Sequence, residues 1–333
     1  MIDSCLVSVV VPAYNASSTI DETLRSVRSQ SHRRLEIIVV DDGSSDDTLA
    51  VAQQHAVQDP RVKIISQDNA GVAAARNRGW RSACADFIAF VDADDLWAPT
   101  KVERQLQALI AGGEKTGLVY SWYVLIDASS RSLMKSPPAN CVGDVLNEIF
   151  AGNFIGNGSA VLVRREALVA ANGFDSRLRA AGTQGCEDFL FYCRVAERYH
   201  FAVVPDYLIG YRYLPENMSS NLPRMLQSWM LVVDEMAGRH PDRMKTLNLG
   251  LRNYSSWILL RALATGKFRY FASAVLLLKR RDPLLAAKLL ALDLPRDTLT
   301  EARSGLEKLL RLWTTGFRVP NTYFFVGEPR QSG

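Results

Sequence analysis

The chain has 333 residues, 48% hydrophobic and 22% charged, enough for one large domain or two modest ones with an ample core. A formal net charge of +4 is too mild to argue for nucleic acid, and no nucleic-acid partner is expected. Five scattered cysteines without a C-x-x-C pair argue against a disulfide scaffold or zinc site and for a reducing cytosol. The N-terminus has no basic segment leading into a long apolar one, so no signal peptide is visible.

Residues 7–11 form an apolar, β-branched run closed by Pro12 and read as the first strand. A helix follows from Ser18, with Ser17 or Ser18 as N-cap and Ile20, Leu24 and Val27 on one face. Residues 35–40 are a second buried strand, ending at Asp41-Asp42-Gly43-Ser44-Ser45-Asp46; Asp46 reads as a turn or N-cap residue. A helix over 47–56, a strand over 62–65, a helix over 70–83 and a strand over 87–91 complete the first part. Apolar strands alternating with helices imply a parallel sheet covered on both faces, with ligands bound beyond the carboxyl ends of its strands.

The fourth strand runs straight into Asp92-Ala93-Asp94-Asp95. Three carboxylates within four residues repel one another and resist desolvation, so a positive partner is expected there. Hard oxygen ligands at a strand end suit Mg²⁺ or Mn²⁺. Asp95 is expected to cap the next helix or order the loop. Further on come a helix after Pro99, strand material over 117–126, a Gly-rich loop and strand over 153–164, a helix over 187–198, and short strands over 201–204 and 208–213. From about residue 223 the pattern is helical, which sets a boundary near 220: residues 1–220 as one domain and 221–333 as a helical region.

In order and spacing, five segments resemble the family 2 inverting glycosyltransferases with the GT-A nucleotide-sugar fold. They are Val-Val-Val-Pro-Ala-Tyr-Asn (9–15), Val-Val-Asp-Asp-Gly-Ser-Ser-Asp (39–46), Gly-Val-Ala-Ala-Ala-Arg-Asn-Arg-Gly (71–79), Phe-Val-Asp-Ala-Asp-Asp-Leu-Trp (90–97), and Glu187-Asp188 followed by Arg194. The resemblance covers roughly residues 6–220. It implies a Rossmann-like mixed, mainly parallel sheet flanked by helices, with a C-terminal helical region. It implies a UDP-sugar donor, a saccharide or lipid-linked saccharide acceptor, and Mg²⁺ or Mn²⁺ as cofactor, in polysaccharide or glycolipid assembly. Pro12 and Tyr14 would meet the uracil ring, Asp42 its imide N–H, and Arg76 a uracil carbonyl or a phosphate oxygen. Asp92 and Asp94 would hold the metal and the ribose, Asp94 as the direct ligand, and Asp188 would be the general base. Asn77 is expected to order its helix and loop, and Trp97 with the 157–159 loop to shape the pockets.

One departure is plain. Many members of the family carry a histidine after a Tyr-Arg pair, whereas here Tyr211-Arg212 is followed by Tyr213-Leu214-Pro215, and none of the four histidines reads as a metal ligand. Metal binding would then lean on the substrate's own oxygens. Two other functions compete with this reading. A nucleotidyltransferase should show a Gly-rich basic loop where this chain has Pro12-Ala13-Tyr14-Asn15, and a silent nucleotide-sugar-binding scaffold would lack Asp94 or Asp188.

The C-terminal region, with Trp229, Trp257 and Trp313 and the cluster Lys279-Arg280-Arg281, reads as a helical subdomain packed on the core. Its basic, aromatic character also permits peripheral attachment to an anionic membrane on the cytoplasmic side. Residues 257–278 are interrupted by Arg261, Lys267 and Arg269, which a spanning helix would have to bury, so no transmembrane segment is expected.

Overall fold

The computed structural model describes residues 2–183, 185–214, 218–296 and 324. Strand β1 (Val7–Ala13) is buried along its whole length, because it lies between two strands and beneath helices on both faces. Helix α1 (Ile20–Arg28) follows, then β2 (Leu35–Asp41), α2 (Thr48–Gln58), β3 (Val62–Ser66), α3 (Val72–Ser82) and β4 (Phe87–Phe90). Strands β3, β2, β1 and β4 are adjacent in that order and parallel. β3 lies at the sheet edge, with Val62 buried, Ile64 and Ile65 half-buried, and Lys63 and Ser66 exposed.

Downstream come β5 (Leu96–Trp97), α4 (Lys101–Ala111), β6 (Thr116–Ile126), β7 (Ser132–Lys135), α5 (Leu146–Ala151), β8 (Val161–Arg164), α6 (Arg165–Ala170), α7 (Arg177–Ala180), α8 (Glu187–Ala196) and β9 (His200–Arg212). The sheet order is β3-β2-β1-β4-β8-β6-β9-β5, with β7 on β6. β8 runs antiparallel to both β4 and β6, and β5 runs antiparallel to β9, while β6 and β9 are parallel. The parallel sheet implied by the apolar runs therefore holds for β1–β4 and the β6/β9 pair, and the whole is mixed.

Two boundaries differ from expectation for physical reasons. The strands expected over 201–204 and 208–213 are one strand, β9, because its pairing with β6 continues past Pro205 through register shifts. Helix α1 begins at Ile20 and is capped by neither serine; Thr19 holds the cap position without a side-chain cap bond. The Thr19 and Thr23 hydroxyls instead donate to the carbonyl of Ala93, at 2.9 and 3.0 Å, pinning the acidic loop onto α1.

Beyond β9 the described residues up to 296 fold mainly as helices: α9 (Leu222–Arg239), α10 (Met244–Ala264), α11 (Phe268–Arg281) and α12 (Pro283–Lys288). α9 packs on α8, and α10 on α9 and α5. The apolar stretch 257–278 is split by the turn between α10 and α11, and no helix among the described residues is long and apolar enough to cross a membrane. Trp313 lies outside the described residues. Phe324 packs beside Leu96, Val124 and Ile126.

Candidate active site

The register between β1 and β2 pairs Ala13 with Asp41, so the residues after both strands emerge at one edge of the sheet. β1 has β2 on one side and β4 on the other, and its own connection crosses to β2. That switch point opens a crevice at the carboxyl ends. Pro12 is buried in β1, and Tyr14 stands 53% exposed at the crevice mouth. Asn15 adopts a left-handed backbone (φ 48°), which asparagine tolerates. Its Oδ1 accepts from the Ser45 N–H at 2.9 Å, and Asp46 accepts from the Ser17 and Thr48 N–H groups, each at 3.0 Å. The loops after β1 and β2 are thus stitched together. Asp46 ties that seam: burial raises its pKa, but bonds from Thr48 and Ser17 outweigh this and hold it at about 2.

Asp42 is buried and committed to the loop that opens α3. Its Oδ1 accepts from Gln67 Nε2 at 2.7 Å and from the Ala70 N–H at 2.9 Å, and its Oδ2 from the Gly71 N–H at 2.7 Å. Gly71 has φ 91°, and a Cβ there would lie 2.7 Å from Arg179 Cδ, so only glycine fits. Asn77 Nδ2 donates to the Phe174 carbonyl at 2.6 Å and its Oδ1 accepts from the Phe174 N–H at 3.0 Å, fastening α3 to the segment that leads to α8.

The three aspartates after β4 have three different environments. Asp92 accepts from Arg76 Nη2 at 2.5 Å. Asp95 is fully buried and caps no helix; it accepts from Ser159 Oγ at 2.5 Å and from the Arg212 N–H at 2.9 Å. Asp94 receives no hydrogen bond from another described residue on its carboxylate. Burial, and after it the charge of Asp92, lift Asp94 to about 6. Burial, then Asp94 and Asp92, push Asp95 well above the usual carboxylate range.

Two residues organise this acidic loop: Arg212, to which sequence reasoning gave no role, and Ser159, expected only as part of the 157–159 loop that shapes the pockets. Arg212, 1% exposed, donates from Nε to the Asp94 carbonyl at 2.7 Å, from Nη1 to the carbonyls of Asp127 and Ala128, and from Nη2 to Glu22 at 2.8 Å. Ser159 bonds Asp95 and also accepts from the Asp92 N–H at 3.0 Å, while its carbonyl accepts from Trp97 Nε1 at 3.0 Å. An arginine ending an apolar strand, and a serine in a Gly-rich loop, were the available signals.

Arg76 joins the acidic loop to α8. It is buried, with its guanidinium 5.2 Å from the Phe174 ring centre, and its Nε has no hydrogen-bond partner among the described residues. Burial disfavours its charge, but Asp92 and Asp188 more than restore it. A Cβ on Gly158 would collide with this guanidinium, so the 157–159 loop closes directly over it. Asp188, in the first turn of α8, is partly buried and accepts from its neighbour's N–H, that of Phe189, at 2.7 Å. Burial raises its pKa to about 7; Arg76 pulls down and Glu187 pushes up. Glu187 accepts from the Gly185 N–H at 2.8 Å, and is itself raised by burial.

The structure therefore brings Arg76, Asp92, Asp94 and Asp188 together, and sets Pro12, Tyr14 and Asp42 along the same strand-end crevice. The donor set suits one hard cation: Asp94 is uncommitted and crowded by like charge, whereas Asp95 is taken and Asp92 shares Arg76. Among the described residues no group of three or more His, Cys, Asp or Glu is disposed to hold a metal alone. Any cation here would need oxygens from a substrate.

Residues 8–168 match the family described as glycosyl transferase family 2. A Bacillus subtilis protein described as a putative teichuronic acid biosynthesis glycosyltransferase, TuaG, is 42% identical over 106 residues, 32% of this chain and 42% of that one. An Escherichia coli UDP-Glc:alpha-D-GlcNAc-diphosphoundecaprenol beta-1,3-glucosyltransferase, WfgD, is 36% identical over 129 residues, 38% of this chain and 49% of that one. The chain thus spans about half the length of the curated relatives it matches. Among solved structures, Staphylococcus aureus TarS 1–349 in complex with UDP-GlcNAc superposes with a TM-score of 0.62 at 18% identity, covering 81% of this chain and 79% of that one. The mannosyltransferase PcManGT from Pyrobaculum calidifontis, in complex with GDP-Man and Mn²⁺, gives a TM-score of 0.58 at 22% identity over 94% and 84% of the two chains. Both likenesses concern the fold.

Proposed function

We propose that this chain, a member of glycosyl transferase family 2 through residues 8–168, transfers a sugar with inversion from a UDP-sugar to a hydroxyl of a saccharide or lipid-linked saccharide. The observation that carries this reading is Asp188 facing Arg76 across from the D-x-D pair, a carboxylate raised to about 7 beside a site suited to diphosphate. Residues 1–220 are the catalytic domain in this reading and 221–333 a separate C-terminal region, helical in its described part up to residue 296.

Tyr14 offers its exposed ring to the uracil, beside Pro12. Asp42 shapes that end through the 67–71 loop and keeps acceptor capacity on Oδ2, which takes one bond, for the imide N–H. Arg76, locked on Asp92 with Nε unused, presents fixed positive charge to a phosphate oxygen. Asp94, with Asp92 beside it, would hold a Mg²⁺ or Mn²⁺, whose chemistry is neutralisation of charge on the departing diphosphate. Asp188 takes the proton of the acceptor hydroxyl. The oxygen bonds to the anomeric carbon from the face opposite the diphosphate, the bond from that carbon to the phosphate oxygen breaks, and UDP leaves with the electron pair. One displacement with one base inverts the centre. The test is a panel of nucleotide sugars with Mn²⁺, read as nucleoside diphosphate released. Release from a UDP-sugar is expected, and a panel in which no nucleotide sugar is bound or turned over would sink the reading.

The chain is proposed to work in the cytoplasm, peripherally on the inner face of the membrane. Support comes from exposed Phe268, Leu276, Leu284 and Leu292 interspersed with exposed Arg269, Lys279, Arg280 and Lys288 on α11, α12 and the turn after them. The protein should float with phosphatidylglycerol vesicles at low salt and be released as salt shortens the screening length from about 10 Å toward about 3 Å. No flotation at low salt would remove the membrane contact.

A further inference from the structure

Lys101 and Gln105 share a face of α4, being four residues apart, and Trp97 in β5 precedes them by one more step of four. All three are fully buried. Their side-chain donors take three consecutive carbonyls of the segment that follows Gly158. Trp97 Nε1 donates to Ser159 at 3.0 Å, Gln105 Nε2 to Ala160 at 2.8 Å and Lys101 Nζ to Val161 at 3.2 Å. The start of α4 is itself fastened: Gln30 accepts from the Val102 N–H at 3.0 Å and donates to the Ala98 carbonyl at 2.8 Å. On its other side the same segment meets the reactive groups. Ser159 Oγ accepts from the Asp92 N–H and donates to the Asp95 carboxylate. A Cβ on Gly158 would collide with Arg76 and stand 3.4 Å from Asp92 Oδ2.

Lys101 is a poor choice for stability alone. It is the first residue of α4, where a cation opposes the helix dipole. Its amine is buried with no carboxylate partner among the described residues. What it touches is the Val161 carbonyl and the Trp97 ring, whose centre lies 3.7 Å away. Burial pushes its pKa well below the ordinary lysine range. An apolar side chain of the same length would fill that space without these costs. The amine is worth more to the site than to the fold.

We infer that Lys101, together with Trp97 and Gln105, positions the diphosphate and metal end of the site by fixing the 158–161 segment. The three donors clamp the segment's backbone from behind, so Gly158 and Ser159 cannot withdraw from the acidic loop without breaking them. Asp92 then stays on Arg76, Asp95 stays taken by Ser159, and Asp94 is the carboxylate left for a cation. Being fully enclosed, the three side chains cannot touch substrate; they are positioning residues. The inference rests on the glycosyl-transfer reading above.

The test compares wild type, Lys101→Met and Gln105→Met as full chains by denaturant midpoint, backbone hydrogen exchange, and calorimetry of UDP with Mn²⁺ or with chelator. Lys101→Met should keep a midpoint at or above that of wild type, because it removes an unpaired buried amine. Its Asp92 amide, which the Ser159 hydroxyl holds, should nonetheless exchange faster. Its affinity for UDP with Mn²⁺ should fall about 10–100-fold, the usual worth of groups that orient metal ligands. With chelator, UDP should bind it as it binds wild type. A role in the fold alone would not give that split. Gln105→Met should show the same loss of Mn²⁺-dependent affinity, and it decides if Lys101→Met does not fold. UDP affinity with Mn²⁺ unchanged in both variants overturns the inference. So does a loss that persists equally with chelator, which would place the effect at the nucleotide end, or a midpoint that falls in step with affinity. If wild type binds no UDP with Mn²⁺, the glycosyl-transfer reading fails, and exchange at Asp92 alone decides whether these side chains hold the acidic loop.

Discussion

Asp188→Asn is expected to keep the fold and UDP binding while lowering transfer by about 10²–10⁴-fold, the usual worth of a general base. The amide fills the same space and still accepts the Phe189 N–H through its carbonyl oxygen, so the start of α8 should be undisturbed. What it cannot do is take a proton. The pH dependence makes the expectation sharper. Burial is the main reason Asp188 sits at about 7, against an ordinary carboxylate near 4. The rate should therefore rise along a limb centred near 7, tenfold per pH unit below it, and the limb should be missing from the variant. Stability should move the other way. Between about 4 and about 7 the unfolded chain has lost the proton that the native group keeps, so raising pH through that window removes native stability. Asp188→Asn should flatten that slope and be the more stable protein above pH 7. Turnover near the wild-type level in Asp188→Asn would remove it from the mechanism and direct attention to Glu187.

Arg212→Met is expected to cost the largest share of stability of any single change at the site, about 3–5 kcal/mol. The side chain is 1% exposed, and its guanidinium binds the carbonyls of Asp94, Asp127 and Ala128 and the Glu22 carboxylate. Methionine fills much of the volume but leaves three partly buried carbonyls and the Glu22 carboxylate without that donor, and it removes a cation whose charge favours ionised Asp94. Arg212→Lys should recover only part of the loss, because an ammonium cannot fork to several acceptors at fixed angles. Denaturant titration of the three proteins measures this. A methionine variant within about 0.5 kcal/mol of wild type would show that the network carries no weight.

The contrast between Asp188 and Arg212 shows what a sequence exposes. Asp92 and Asp94 announce themselves because carboxylates clustered at a strand end repel one another and resist desolvation; Asp188 was legible only through the family resemblance, since an acid in the first turn of a helix is ordinary. The β1–β4 half was legible for a related reason: continuous apolar runs alternating with helices admit few arrangements. Arg212 was not legible as an organiser, since its partners come from α1, the 94–95 loop and the 127–128 turn, all distant along the chain. The same holds for Thr19 and Thr23, whose hydroxyls bind Ala93 across the fold rather than capping α1. Asp42 illustrates a mixed outcome: its place at the end of β2 was evident, but its three bonds to the 67–71 loop depend on how α3 docks. Strand direction in β5 and β8 followed from connections that no local pattern encodes.

The central claim, a UDP-sugar site built around Asp94 and a divalent cation, meets its most direct test in calorimetry of UDP. Titrations of wild type and Asp94→Ala, each with Mn²⁺ and with chelator, separate the metal's part from the protein's. Wild type should bind UDP strongly only with Mn²⁺, and Asp94→Ala with Mn²⁺ should fall to the level of wild type with chelator. UDP binding that ignores both Mn²⁺ and the Asp94 substitution would contradict the account.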